Sequence, residues 1–157
     1  MFVFGKMSYD IYYVRCGESR IAEAIADEAV ARDLMHGKVN VSPGESTECI
    51  DFHPRALDAL YGLLSLEFPE ACVEHGSDEK NWVFLALNGY EIFPWPIDTG
   101  YGRPHLLRAP LVSKVASKLV HVNHETLGDA SALFQKLRDF FCAASTAHQA
   151  VVMTPLP

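Results

Sequence analysis

The sequence predicts an α+β fold: one domain spanning residues 1–157, in which several amphipathic helices pack on a small sheet. Three observations carry this. A chain of 157 residues that is 49% hydrophobic can bury one core without help from disulfides or metal. Short runs rich in β-branched and aromatic residues stand near its two ends, at 8–15 and 150–153. Between them, apolar residues recur at three- and four-residue steps over long stretches, the period of a helix with one buried face.

SYDIYYVR, residues 8–15, lacks breakers and predicts a strand stopped by Gly17. From Glu18 to Leu34 an apolar stripe of Ile21, Ala22, Ile25, Ala29, Val30 and Leu34 predicts one amphipathic helix, ended by Gly37. GKVNVSPGESTE follows, a polar loop long enough to be a place where binding residues gather. His53-Pro54 opens a second helix with proline at its first position; Leu57, Leu60, Tyr61, Leu64 and Phe68 form its inner face before Pro69 ends it. PEACVEHGSDEKN, residues 69–81, predicts a solvated connection. NWVFLALNGYEIFPW reads two ways. Asn88-Gly89 between apolar runs is a hairpin signal, with strands at 82–87 and 90–93. Ser77, Asp78 and Glu79 before the run and Gly89 after it suit a helix instead. Pro110 starts a third helix to about residue 121, with Leu111, Val112, Val115, Leu119 and Val122 inward. Asp129 or Ser131 caps a last helix whose Leu133, Phe134, Leu137, Phe140, Phe141 and Ala144 share one face. AVVM, residues 150–153, predicts a buried strand, and Pro155 and Pro157 close the chain.

A formal charge of −7 and a pI near 5.4 disfavour nucleic acid, whose binding draws on clustered Lys and Arg. An acidic surface favours a basic macromolecule as partner. No apolar run reaches the roughly 18–20 residues of a membrane span, and the N-terminus lacks the pattern of a signal peptide, so the expected location is the cytoplasm. The four cysteines, Cys16, Cys49, Cys72 and Cys142, are far apart, with no C-x-x-C pair. They are expected to be reduced thiols.

WPIDTGYGRPHLLRAP, residues 95–110, holds the candidate chemistry. Asp98-Thr99-Gly100 has the triplet of aspartic proteases, but one copy supplies one carboxylate where the chemistry shares a proton between two. An Asx-type turn at Asp98 is the simpler reading. Gly100 and Gly102 match neither glycine-rich phosphate motif, although Arg103, His105 and Arg108 stand near enough to hold an anion. HVNHE, with His121, His124 and Glu125, has ligand-like spacing without the order of a zinc motif or a third ligand. No serine or cysteine sits in a nucleophile motif. Trp95 and Tyr101, aromatics beside a rigid loop, suit a protein contact. The candidate binding residues are therefore Trp95, Asp98, Tyr101, Arg103 and His105; none is assigned a catalytic or metal role, and no cofactor is expected.

The order of parts resembles the YfbM-like family of bacterial proteins of unknown function. The resemblance lies in GKMSYDIYYV before an acidic helix, IDFHPRALDALYGLLS, FLALNGYEI, GYGRPHLLRAPLVSKVASKL and FQKLRDFFCAASTAHQAVVM. FLALNGYEI and the GYG-R-P-H-L-L segment are the most specific, and together the segments span nearly the whole chain. Two departures stand out. Leu57 and Tyr61 occupy positions where the family usually has Trp and His, and HVNHETLGDASALF is shorter than usual between the last long helices. The resemblance implies an α+β domain in which WVFLAL is helical, and it brings no catalytic residues. In that pattern the glycines at 100 and 102 allow a turn, Pro104 and Pro110 set its angle, and Leu106 and Leu107 pin it to the core. The functional expectation is a non-enzymatic cytoplasmic protein-binding module of immunity or antitoxin type, neutralising a basic toxin. The alternative is a small-ligand or anion-binding protein, or a hydrolytic enzyme, using the loop at 95–105.

Overall fold

The computed structural model describes residues 9–35, 48–74, 80–95 and 102–156. Strand β1 (Asp10–Gly17) pairs antiparallel with β5 (Gln149–Leu156), setting Tyr13 opposite Met153 and Val14 opposite Val152. The other neighbours are β2 (Glu48–Phe52) beside β1 and β4 (His105–Leu107) beside β5, with β3 (Glu91–Ile92) at the far edge. The order is β2-β1-β5-β4-β3. The central β5 is buried along its whole length, which is why an almost continuous apolar run was its only signal.

Side chains alternate across this sheet and divide the core. Tyr13, Phe52, Leu107, Val151 and Met153 face α3 (Pro54–Glu67), α4 (Trp82–Asn88), α5 (Ala109–Leu119) and α6 (Ser131–Thr146). Val14, Cys16, Leu106, Ala150 and Val152 face α1 (Glu18–Ala26) and α2 (Glu28–Met35). The expected α+β architecture, with both terminal strands in one sheet, is what forms.

Several local expectations change. The predicted helix from Glu18 to Leu34 is two helices, because Asp27 adopts extended backbone (φ −138°, ψ 116°) and its carboxylate accepts from the Ala29 N–H at 2.9 Å. The break re-aims the stripe: Ile21, Ala24, Ala31, Leu34 and Met35 are buried, while Ala22 and Ala29 are exposed. Gly37 and the polar loop to residue 47 lie outside the described residues. WVFLAL is helical, as the resemblance implies, and the hairpin does not form: the short strand β3 that follows pairs with β4 and not with 82–87. Gly89 ends α4 with its N–H on the Leu85 carbonyl at 2.9 Å and φ of 74°; the suggested caps at 77–79 are outside the described residues. Neither Asp129 nor Ser131 caps α6. Its N-cap is Ala130, without a side-chain bond; the chain arrives through a 3₁₀ segment, His124–Ala130, that kinks at Gly128 (φ 55°, ψ −125°). Pro155 continues β5 rather than closing it: it sits opposite Ile11, beyond Met153 where the pairing with β4 ends. The stretch before Trp82 is less solvated than expected, since Pro69–Cys72 is a 3₁₀ turn that buries Ala71.

Candidate functional site

Of the five candidate residues, Trp95, Arg103 and His105 are described; Asp98 and Tyr101 lie outside the described residues. Trp95 is half-buried with Phe93 in the core layer under α1. Its indole N–H donates to the Ala24 carbonyl at 2.6 Å, so its polar edge fastens the β3 margin to α1. Arg103 is exposed and reaches the Trp95 carbonyl at 3.4 Å. His105 stands in β4, opposite Ile92 on one side and Met153 on the other. Burial moves its pKa below the ordinary 6.5, a backbone hydrogen bond with Arg103 opposes this, and the Arg103 charge adds to the lowering. The imidazole is therefore neutral at pH 7.

Arg103 and His105 line one groove, of about 650 Å³, where β1 and β5 run past the end of α4. Its floor is the sheet (Tyr9, Ile11, Met153, Pro155), and Phe84, Leu87 and Asn88 of α4 form a wall. Gly89 is required at the bend: a Cβ there would stand 2.9 Å from the His105 Cβ. A smaller hollow of about 370 Å³ shares Tyr9, Ile11, Phe84, Leu87 and Asn88 and continues to Leu57, Asp58 and Tyr61 of α3. The Tyr61 hydroxyl is committed to the Cys72 carbonyl at 2.6 Å.

A second surface is the outer side of α3. Leu57, Leu60 and Leu64 turn inward, which leaves Leu63 and Leu66 outside, 37% and 83% exposed, with Val73 52% exposed beyond the helix end. Positions 63 and 66 are neighbours on a helix surface; Asp58 and Glu67 are exposed on the same helix, as is Arg55, and Glu70 is exposed in the turn after it. The inner-face stripe of Leu57, Leu60 and Leu64 had left Leu63 and Leu66 unassigned.

One side-chain cluster escaped the sequence altogether. His124 Nδ1 lies 2.9 Å from the Ser131 hydroxyl, with the Gln135 amide at 3.4 Å from the ring and 3.2 Å from that hydroxyl. Among the described residues no carboxylate is hydrogen-bonded to the pair, so the orienting group of nucleophilic catalysis is not seen beside it. It ties the 3₁₀ segment to the start of α6. His121 is exposed, and no group of three ligand-type residues among those described could hold a metal. Cys16 is buried. Burial raises the Cys72 and Cys142 thiols above their ordinary pKa, which disfavours the nucleophilic thiolate.

The arrangement of strands and helices matches a solved structure along nearly all of both chains. The fold is that of YfbM. That protein, YfbM from Escherichia coli, is described as of unknown function; the match has a TM-score of 0.58 and 12% identity, and covers 94% of this chain and 99% of that one. At this identity YfbM establishes architecture and brings no site residues. No protein-family model and no curated protein matches the chain. No helix among the described residues is long and apolar enough to cross a membrane.

Proposed function

We propose that the chain is a non-enzymatic cytoplasmic protein-binding module of immunity or antitoxin type, which neutralises a basic toxin by covering its working surface. The observation that carries the reading is the exposed pair Leu63 and Leu66 on α3, a helix that also exposes Asp58 and Glu67, with Glu70 exposed in the turn after it. An apolar centre with a charged rim is the anatomy of a protein contact. The rim carboxylates, on a chain of net charge −7, would speed encounter with a cationic partner and disfavour acidic ones. Raised thiol pKa values and the absence of a Ser-His-carboxylate arrangement among the described residues support binding over covalent chemistry. The test is capture of a basic protein by the wild-type chain, then titration of that purified partner against Leu66→Lys and Glu67→Lys/Glu70→Lys variants. The reading expects affinity to fall at least about tenfold with Leu66→Lys and association to slow with added salt. Equal affinity for wild type and both variants would remove α3 from the contact, and failure to bind any basic protein would remove the reading.

A second reading has its own observation: the groove holding Arg103 and His105 is large enough for a small ligand, at about 650 Å³. A ligand or anion bound there raises the melting temperature by linkage, so a melting screen against nucleotides, sugar phosphates and divalent metals distinguishes it.

A further inference from the structure

A third cavity, of about 680 Å³, opens between the 3₁₀ turn at Pro69–Cys72, α4 and α5. Its inner side is apolar. Phe68 and Trp82 meet edge to face with ring centroids 5.1 Å apart, and Leu85 and Val115 complete the floor. Its polar rim carries Lys80, Lys114 and Lys118 against Glu67 and Glu70. Lys114 and Lys118 are one helical turn apart on α5, a spacing that places two like charges side by side. The rim therefore has an excess of positive charge on a protein whose total is −7.

This combination differs from the α3 face and the Arg103 groove, and it selects another kind of ligand. Aromatic edges and aliphatic walls favour a flat apolar body. Ammonium groups that can converge from two elements favour an acidic group at its end. The volume is that of a small-molecule site. We propose that this cavity binds a small planar organic carboxylate, its ring against Phe68 and Trp82 and its acid group held by Lys80, Lys114 and Lys118. The cavity shares Glu67 and Glu70 with the α3 face, but the proposal does not rest on the protein-binding reading and survives if that one fails.

Calorimetric titration of the folded full-length chain with 2-naphthoate, and with uncharged 2-naphthamide as its near-isosteric control, tests it. A ligand of this size should bind in roughly the millimolar range or tighter. The amide should bind at least about tenfold more weakly, and raising salt should weaken the acid alone. Lys114→Gln/Lys118→Gln, both at exposed positions, should stay folded by circular dichroism and lose about threefold to tenfold in affinity for the acid. Amide chemical shifts on titration should centre on Phe68, Trp82, Val115 and Lys118. Equal binding of acid and amide, an unaltered affinity in the double variant, shifts centred elsewhere, or no saturation at millimolar naphthoate would each overturn the proposal.

Discussion

Tyr13 ties the sheet to α4, and Tyr13→Phe isolates one atom of that tie. The ring is fully buried, edge-on to Phe52, Phe140 and Phe141 at centroid distances of 5.2, 6.1 and 6.3 Å. Its hydroxyl donates to the Ala86 carbonyl at 2.9 Å. Ala86 lies in the last turn of α4, where carbonyls lose their partners in the helix. The Tyr90 N–H, which would continue the ladder to it, is turned instead to the Leu106 carbonyl at 3.2 Å. Burial pushes the phenol pKa far above its ordinary 10.0, so the hydroxyl remains a donor at every usable pH. Phenylalanine keeps the aromatic contacts and strands a carbonyl on a residue only 1% exposed. That costs about 1–3 kcal/mol. For 157 residues, an unfolding entropy of about 2.1 cal/mol/K per residue converts this into a fall of roughly 3–9 °C in melting temperature. Tyr13→Ala, which also opens a cavity, should cost about 3–5 kcal/mol. Circular-dichroism melts of both variants, with Tyr90→Phe at a 63% exposed position as control, measure the difference. A Tyr13→Phe melt within about 1 °C of wild type, or no lower than the control, would refute the reasoning.

Gly89→Ala should lower the urea midpoint by the equivalent of about 1–3 kcal/mol with little change in slope, because its backbone (φ 74°, ψ −170°) is nearly exclusive to glycine and the new methyl meets His105. His105 has a folded pKa below its ordinary 6.5. Across that window the unfolded chain binds more protons, so stability is full above about pH 6.5 and declines as pH falls through the folded value. Equilibrium unfolding of His105→Gln at stepped pH should show a flatter decline than wild type, and parallel profiles would contradict it. Glu18 accepts from the Ala109 N–H at 3.0 Å and pairs with Arg108 at 3.4 Å, acting as a cap for α5 supplied from α1. Glu18→Ala should cost about 0.5–1 kcal/mol after allowance for its exposure, read from the shift in denaturation midpoint.

Where a segment's burial follows one helical stripe, it was legible. Leu111, Val112, Val115, Leu119 and Val122 are all buried, and Phe134, Leu137, Phe140, Phe141 and Ala144 line α6 as expected. Proline at the start of α3 and α5 marked both beginnings. What failed was set by partners distant in sequence. β2 and β4 are too short for a periodic signal and are strands because β1 and β5 lie beside them. Asp27 divides a stripe that reads as continuous, since either side of the break is itself amphipathic. WVFLAL is apolar at almost every position, so neither period distinguishes it; packing of α4 against the Phe68 and Tyr13 side of the core decides.

The site was harder to read for a related reason. Sequence reasoning weighs groups that stand near each other along the chain, which drew it to Trp95 through His105. Topology separates part of that group: the Trp95 indole is committed to Ala24, while Arg103 and His105 share a groove with Tyr9 and Pro155 from the two ends of the chain. Net charge misleads in the same way. A total of −7 argues against anionic ligands only if the charge is spread evenly, because screening confines an exposed charge to about a Debye length, roughly 8–10 Å. An anion at the cavity rim therefore responds to Lys80, Lys114 and Lys118 and the two glutamates beside them more strongly than to distant carboxylates. Distinct faces can then recognise partners of opposite charge, and a single average over the chain reveals neither.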